Sequence, residues 1–392
     1  MTKFDALDVW ARDLVDTGRL ANTEITILRH GETAYFGQYG FMDIDRQKPL
    51  AEGSIFRIYS MTKPIICLAV LMLMERGALK LTDPVSKYIP SFANPQVVDD
   101  PSSSNPGFIA ANRDITLHDL MTHTAGLTYG GTGHPPVSTS YREQGINFSD
   151  AYGDLAEVAS KVGQCHLYYQ PGTRWIYSIA NDVLGRIIEV ASGQSLDQFF
   201  VEHLFKPLEM PDTAFHVTDT NQRRFVSNFE YDADSNLRDC SDQSSDRYLK
   251  GGTLLSGGGG LVSTSRDYLK FCQMLLGSGR LGPSRLLSSE SVGLMTSNHL
   301  PGDLPAMGCP IHGKMDMSGI GYGYGVAVTV DAEKATVGCS NGDFGWGGVA
   351  NTYFWIDPSE DMIVLFMSQL IPASDMPIRS DLRNHVYRAI SK

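Results

Sequence analysis

The stretch SIFRIYSMTKPIICLAVLMLMERG, Ser54 to Gly77, changes its pattern part-way along. Ser54-Ile-Phe-Arg-Ile-Tyr59 is rich in β-type residues and predicts an extended segment. Pro64 to Arg76 is nearly all apolar, with proline in a first helical turn and Gly77 just past the end. A helix that is apolar on every side must be buried, so other elements have to cover it all round.

The rest of the chain supplies those elements. Upstream, residues 8–20 read as an amphipathic helix, and Glu24-Ile-Thr-Ile-Leu28, a turn at His30-Gly31-Glu32 and a run through Tyr39 predict a β-hairpin. From about residue 85 to 250 strand signals fade. Helical stretches at Leu117–His123, Leu155–Val162 and Asp182–Ala191 alternate there with polar loops at Asp99–Gly107 and Tyr129–Ser149. The β pattern returns in Tyr324–Val330, Thr352–Ile356 and Met362–Ser368, and a helix from about Ile378 to Ile390 follows. The predicted class is α/β (α+β), an antiparallel sheet flanked by helices. Residues 1–85 and 251–392 would form one discontinuous α/β domain and 86–250 a mostly helical one, with a site in the cleft between them.

Composition narrows the function. With 32 basic and 44 acidic residues the formal charge is −12, which opposes a nucleic-acid backbone. The longest apolar run, Ile65 to Met74, is about half a membrane span, and no export signal opens the chain. Six scattered cysteines without a C-x-x-C pair fit reduced thiols in a cytoplasm. His118 and His123, spaced i, i+5, point to different helix faces, so no metal is expected.

Ser60-Met-Thr-Lys63 sets a hydroxyl and an amine three residues apart, about 4.5 Å of helix rise and about 60° of rotation, so both share one face. The serine sits where free N–H groups favour an oxyanion. Burial beside Ile65, Ile66 and Cys67 disfavours a charged ammonium, the condition for the amine to take the serine proton. S-x-x-K arises about once by chance in a chain of this composition, so its weight rests on that context. Tyr177, at a loop-to-helix junction, is the candidate second proton carrier. The glycines of Gly257–Gly260 and Trp346-Gly347-Gly348 would let a ligand or another backbone approach closely. A rival nucleophile, Ser340 in Gly338-Cys-Ser-Asn-Gly342 with His385 downstream, matches G-x-S-x-G, but the residues after it are glycine-rich and β-type rather than helical.

Taken together and in order, Ser60-Met-Thr-Lys63, Tyr177-Ser178 and Trp346-Gly-Gly348 resemble the serine β-lactamase-like superfamily: class C β-lactamases, penicillin-binding proteins and family VIII carboxylesterases. Leu120-Met-Thr-His-Thr-Ala-Gly-Leu127, Gln170-Pro-Gly172, Asp182-Val-Leu-Gly-Arg-Ile-Ile-Glu189, Lys206-Pro-Leu-Glu-Met210 and Gly257-Gly-Gly-Gly-Leu261 carry the likeness over residues 20 to 370. The resemblance implies Ser60 as nucleophile, Lys63 as its base, Tyr177 as second acid/base, and the backbone N–H groups of Ser60 and Val349 as oxyanion hole. Ile179 stands where class C enzymes carry the asparagine of Tyr-x-Asn, and Trp346-Gly347-Gly348 replaces their Lys-Thr-Gly, removing the cation that meets a drug's carboxylate. Both departures are similar to the family VIII, EstB-like esterases, whose pocket positions Tyr129 and Asp182 also match.

The expectation is a serine carboxylesterase for short-chain acyl esters, with no cofactor, acting on a small-molecule ester, and with an uncharged aromatic pocket (Trp346, Tyr129) favouring neutral acyl groups. The alternatives are a β-lactamase, D-amino-acid amidase or peptidase, or acyltransferase using the same residues, and a non-catalytic penicillin-recognising binding module. Oligomeric state stays open. Ser60 and Trp346 must meet across 286 residues of sequence, so the two ends of the chain share one domain.

Overall fold

The computed structural model describes residues 3–391 except 44, 46–47, 104–105, 131–134, 147–152, 242–246, 250, 313 and 374–375. Its main sheet takes strands from both ends of the chain: β1 (Asn22–Arg29), β2 (Glu32–Gly40), β3 (Ile320–Tyr322), β4 (Ala327–Thr329), β5 (Phe344–Gly347), β6 (Tyr353–Asp357) and β7 (Met362–Met367). They lie in the order β3-β4-β5-β6-β7-β1-β2, every neighbouring pair antiparallel. The join between the two ends is the β1–β7 ladder, which runs from Glu24 opposite Met367 to Arg29 opposite Met362.

Helices cover both faces, and the strand sequences say why. Every residue of β7 is buried, as a strand between two apolar layers requires. Its alternate side chains go to opposite sides. Val364 and Phe366, with Tyr353 and Trp355 of β6, join a cluster containing Leu7, Ala11 and Leu14 of α1 (Asp5–Asp16) and Leu382 and Val386 of α5 (Ile378–Ile390). Ile363, Leu365 and Met367, with Phe354 and Ile356, belong to the larger core built around α2 (Thr62–Glu75) and α4 (Ser265–Leu276). Helix α2 buries twelve consecutive residues, Thr62 to Leu73, and packs on α3 (Ala180–Ser192).

Three expectations change. The extended segment before α2 shrinks to Phe56–Arg57, paired with Val262–Ser263 outside the main sheet, because the chain turns at Tyr59 into a 3-10 turn over Tyr59–Met61. Between residues 86 and 250 the helices are joined by two hairpins, Gln96–Val98 with Phe108–Ala110 and Phe229–Tyr231 with Leu237–Asp239. Three-residue strands are too short for alternation to announce them. The expected loop Tyr129–Ser149 holds a helix, Pro135–Glu143, and its residues 131–134 and 147–149 lie outside the described ones.

Leu365 is fully buried where β7 meets the α2 layer. Leu365→Ala should therefore lower unfolding free energy by about 2–5 kcal/mol. Val9→Ala, at an exposed helix position, should change it by less than about 0.5 kcal/mol. Urea denaturation of the two variants checks both values.

Candidate active site

Ser60 lies in the 3-10 turn that leads into α2, one residue after Tyr59, whose φ of 44° is unusual for a side-chain-bearing residue. Such a conformation costs about 1–3 kcal/mol and persists only where surroundings fix it. Here the Tyr59 hydroxyl receives a hydrogen bond from Asn228 Nδ2 at 2.5 Å. One helical turn on, Lys63 is fully buried and donates from Nζ to Ser60 Oγ at 3.1 Å and to the Gly258 carbonyl at 2.6 Å. Its flanking residues are apolar, as the sequence indicates, yet the amine itself ends among oxygens and aromatic faces. Nζ stands 4.6 Å from the Tyr177 ring centre and 5.8 Å from that of Tyr129.

Tyr177 arrives on the segment before α3 and is held by aromatic neighbours. Trp346 Nε1 donates to its hydroxyl oxygen at 3.4 Å. Trp175 stacks at 6.0 Å and Tyr129 meets it edge-on at 5.5 Å. A phenol that accepts a hydrogen bond from an indole keeps its own proton to give, and as a phenolate it would be stabilised by the same donor. Burial raises Tyr129 well above the ordinary range of a phenol, and Tyr177 and Asp182 add to it, so Tyr129 is a neutral wall.

Across the opening, Ser60, Tyr177, Gly347, Gly348 and Val349 line one cleft. Strand β5 reaches the turn only because of its glycines. A Cβ at Gly348 would stand 2.6 Å from the Ile58 carbonyl and 2.2 Å from Thr352 Oγ1, so no larger residue fits there without moving the backbone. The Gly348 N–H is used by the Thr352 carbonyl, whereas the Val349 N–H beside it has no partner among the described residues. A reacting carbonyl oxygen could take that N–H together with the N–H of Ser60, which precedes the first bonded turn.

Asp182, expected to touch substrate, is buried behind the cleft instead. Its carboxylate accepts from Ser256 Oγ at 2.6 Å and from the Gly258 N–H, and a Cβ at Gly258 would lie 2.4 Å from Oδ2. Burial raises its pKa, and the Ser256 bond and Lys63 act against that rise. The physical effect is to pin the Gly257–Gly260 turn whose carbonyl holds Lys63, so Asp182 is a positioning residue. Ser340 stands apart from this site. Its N–H reaches Asp343, its hydroxyl pairs with Asp357, and His385 packs against Trp10 in a tilted ring contact, which leaves the rival serine without an imidazole.

His312 and Arg379 give no sequence signal, and the histidines His118 and His123 draw notice only as a pair from which no metal site is expected. His312 stacks on Trp346 at 5.3 Å, and burial lowers its pKa to about 4. His123, fully buried and bonded to Ser178 through Nδ1 at 3.2 Å, is lowered well below its usual value, first by burial and then by Lys63 and His312. His118 instead faces Tyr324, at 2.9 Å. Arg379, from the first turn of α5, lines the cleft and donates to the Gly348 carbonyl. The expectation of an uncharged pocket therefore fails, because the cation comes from the far end of the chain rather than from the motif on β5.

Gly348→Ala should fold, as read by circular dichroism, while losing about 100-fold or more in kcat, because the Val349 N–H is displaced. His123 and His312 are neutral in the fold but take up protons near pH 6.5 when unfolded. Their contribution to stability is thus complete above about 6.5 and is lost as pH falls toward 4. The thermal midpoint should drop across that window, more in wild type than in His312→Gln.

The chain matches known proteins over almost its whole length. A family model described as Beta-lactamase matches residues 7–387. Protein Rv1367c of Mycobacterium tuberculosis is 33% identical over 368 residues, 92% of this chain and 88% of that protein. Esterase EstB of Burkholderia gladioli is 28% identical over 387 residues, 94% and 91% of the two chains. Among solved structures, EstCE1, described as a hydrolase with promiscuous acyltransferase activity, superposes with a TM-score of 0.82 at 26% identity, covering 98% of this chain and 97% of its own. With the family model running nearly end to end and a relative this similar over most of both chains, the protein belongs to the Beta-lactamase family, the group of serine hydrolases and acyltransferases that share this fold.

Proposed function

We propose that the protein is a serine carboxylesterase for short-chain acyl esters. The observation that carries this reading is the contact between Ser60 Oγ and Lys63 Nζ, with Tyr177 beside it, at the base of a cleft bounded by Gly347, Gly348 and Val349. In the first step Ser60 Oγ forms a bond to the ester carbonyl carbon as its proton passes to Lys63 or Tyr177. Negative charge collects on the carbonyl oxygen, opposite the N–H groups of Ser60 and Val349. Collapse breaks the bond to the alcohol, and Tyr177 gives the departing alkoxide a proton. Water then adds to the acyl-enzyme with the proton roles reversed, releasing the acid and restoring Ser60.

Ile179 in place of an amide side chain, and tryptophan in place of lysine on β5, support an ester over a β-lactam substrate. The residues named carry out every step, so the reading requires neither metal nor organic cofactor, and a small ester is its partner. Among the described residues no helix is long and apolar enough to cross a membrane. The unpaired cysteines support a reducing compartment such as the cytoplasm. Acyl transfer to an alcohol is a second reading, favoured by the description of EstCE1.

4-Nitrophenyl butyrate provides the test. Ser60→Ala should fall to the uncatalysed rate and Ser340→Ala should keep wild-type activity; the reverse pattern would remove Ser60 from the mechanism. Tyr177→Phe should lower kcat by about 100- to 10,000-fold. Turnover of a reactive cephalosporin should be far slower than that of the ester, and adding a short alcohol to the assay measures how the acyl-enzyme partitions between water and alcohol.

A further inference from the structure

Tyr59 stands in a backbone conformation that suits glycine, and its peptide link to Ser60 carries an N–H that faces the site. Because that peptide is planar, the φ of 44° at Tyr59 helps to set where the Ser60 N–H points. A residue with a Cβ returns to negative φ unless its surroundings hold it.

The hold comes from a distant part of the chain. Asn228 is buried and donates from Nδ2 to the Tyr59 hydroxyl oxygen at 2.5 Å. Its own main chain is fixed, with the N–H donating to Ser241 Oγ at 2.9 Å and the carbonyl accepting from the Cys240 N–H at 2.8 Å. The next residue, Phe229, donates its N–H to the Gln369 carbonyl at 2.7 Å. The Gln369 side chain returns to the segment before Tyr59, accepting from the Arg57 N–H at 3.0 Å and donating to the Arg57 carbonyl at 3.1 Å. The Arg57 guanidinium adds a second link by donating to the Val226 carbonyl at 2.7 Å. A ring of hydrogen bonds therefore ties residues 57 and 59 to 226–229, where the hairpin of Phe229–Tyr231 with Leu237–Asp239 begins. Gly259 packs against the Tyr59 backbone, where a Cβ would stand 3.5 Å from the Tyr59 carbonyl carbon. Burial pushes the Tyr59 phenol up to about 12, so near neutral pH its oxygen is an uncharged acceptor.

We propose that Asn228 is a positioning residue for the reaction: through the Tyr59 hydroxyl it holds residue 59 at positive φ and keeps the Ser60 N–H aimed at the substrate's carbonyl oxygen. This rests on the reading of Ser60 as nucleophile and of its N–H as an oxyanion donor. Asn228 does not line the cleft, so its effect passes through Tyr59. A displaced oxyanion donor lowers the rate of the chemical step more than it weakens substrate binding.

The test is turnover of 4-nitrophenyl butyrate by Asn228→Leu, Tyr59→Phe, Tyr59→Gly and the double variant Tyr59→Gly/Asn228→Leu. Asn228→Leu and Tyr59→Phe each remove the hydrogen bond, and each should lower kcat by roughly tenfold to a hundredfold with KM little changed. The pH dependence of kcat should keep its wild-type midpoint, since Lys63 and Tyr177 are untouched. Tyr59→Gly should be more active than Tyr59→Phe, because glycine takes positive φ without an anchor. Adding Asn228→Leu to Tyr59→Gly should then cause no further loss. A role in packing alone predicts the reverse order, since phenylalanine keeps the ring and glycine lacks it.

Four results overturn the inference and leave the esterase reading standing: Tyr59→Phe as active as wild type, a loss that falls on KM, Tyr59→Gly no better than Tyr59→Phe, or an Asn228→Leu penalty that persists in the glycine background. If no ester is hydrolysed, the esterase reading fails by itself. The rate at which a fluorophosphonate labels Ser60, read by intact mass, then replaces kcat in the same comparisons, and a wild type left unlabelled at Ser60 overturns the inference. Should Asn228→Leu or Tyr59→Gly not fold, the division of the Tyr59→Phe effect between kcat and KM carries the decision.

Discussion

Lys63 brings an amine into an interior from which water is excluded, and the site depends on how that amine is held. Two oxygens face it, the hydroxyl of Ser60 one helical turn back and the carbonyl of Gly258 from a distant part of the chain. The first contact comes from helix geometry and arises wherever the segment coils. The second exists only if the Gly257–Gly260 turn is in place, and that turn is tied down by Asp182 at the start of α3. Nucleophile and base thus come from one segment and their support from two others, the three meeting around α2. The helix can serve as their common axis because it is buried almost throughout and has no solvent-facing side to lose.

The aromatic wall results from the same exclusion of water. Trp346, Tyr177, Tyr129, Trp175, Tyr322 and His312 touch one another around the amine. Their ring faces attract a cation while their polar edges handle protons, so one set of side chains provides both packing and chemistry. Burial keeps His123 and His312 neutral, so neither adds positive charge beside Lys63.

How much of this can be read from sequence depends on how local each signal is. The three-residue spacing of Ser60 and Lys63 and the apolar run after them are written in consecutive residues, and α5, Ile378–Ile390, is legible too. Trp346-Gly347-Gly348 is recognisable as a close approach because glycine has few other uses on a strand, and Tyr177 stands out mainly through its motif. Asp182 stands out too, but its task does not, since its partner Gly258 lies far along the chain and only folding shows that it supports rather than lines the cleft. Arg379 is not legible, because an arginine in the first turn of a polar helix looks like any solvated charge. The short hairpins escape notice for want of length.

The β1–β7 ladder has a consequence for how the protein is made. The hairpin of β1 and β2 leaves the ribosome long before Met362–Met367, and one long edge of β1 has its proper neighbour only after that strand has been synthesised. Over that interval the edge is an open template for pairing with another nascent chain. Ser60 is likewise made long before β5, so the nucleophile stays without its facing strand, and so chemically idle, until Phe344–Gly347 follows. The onset of activity is thereby tied to one later event, the docking of strands from Phe344–Met367 onto a hairpin that has been waiting for them.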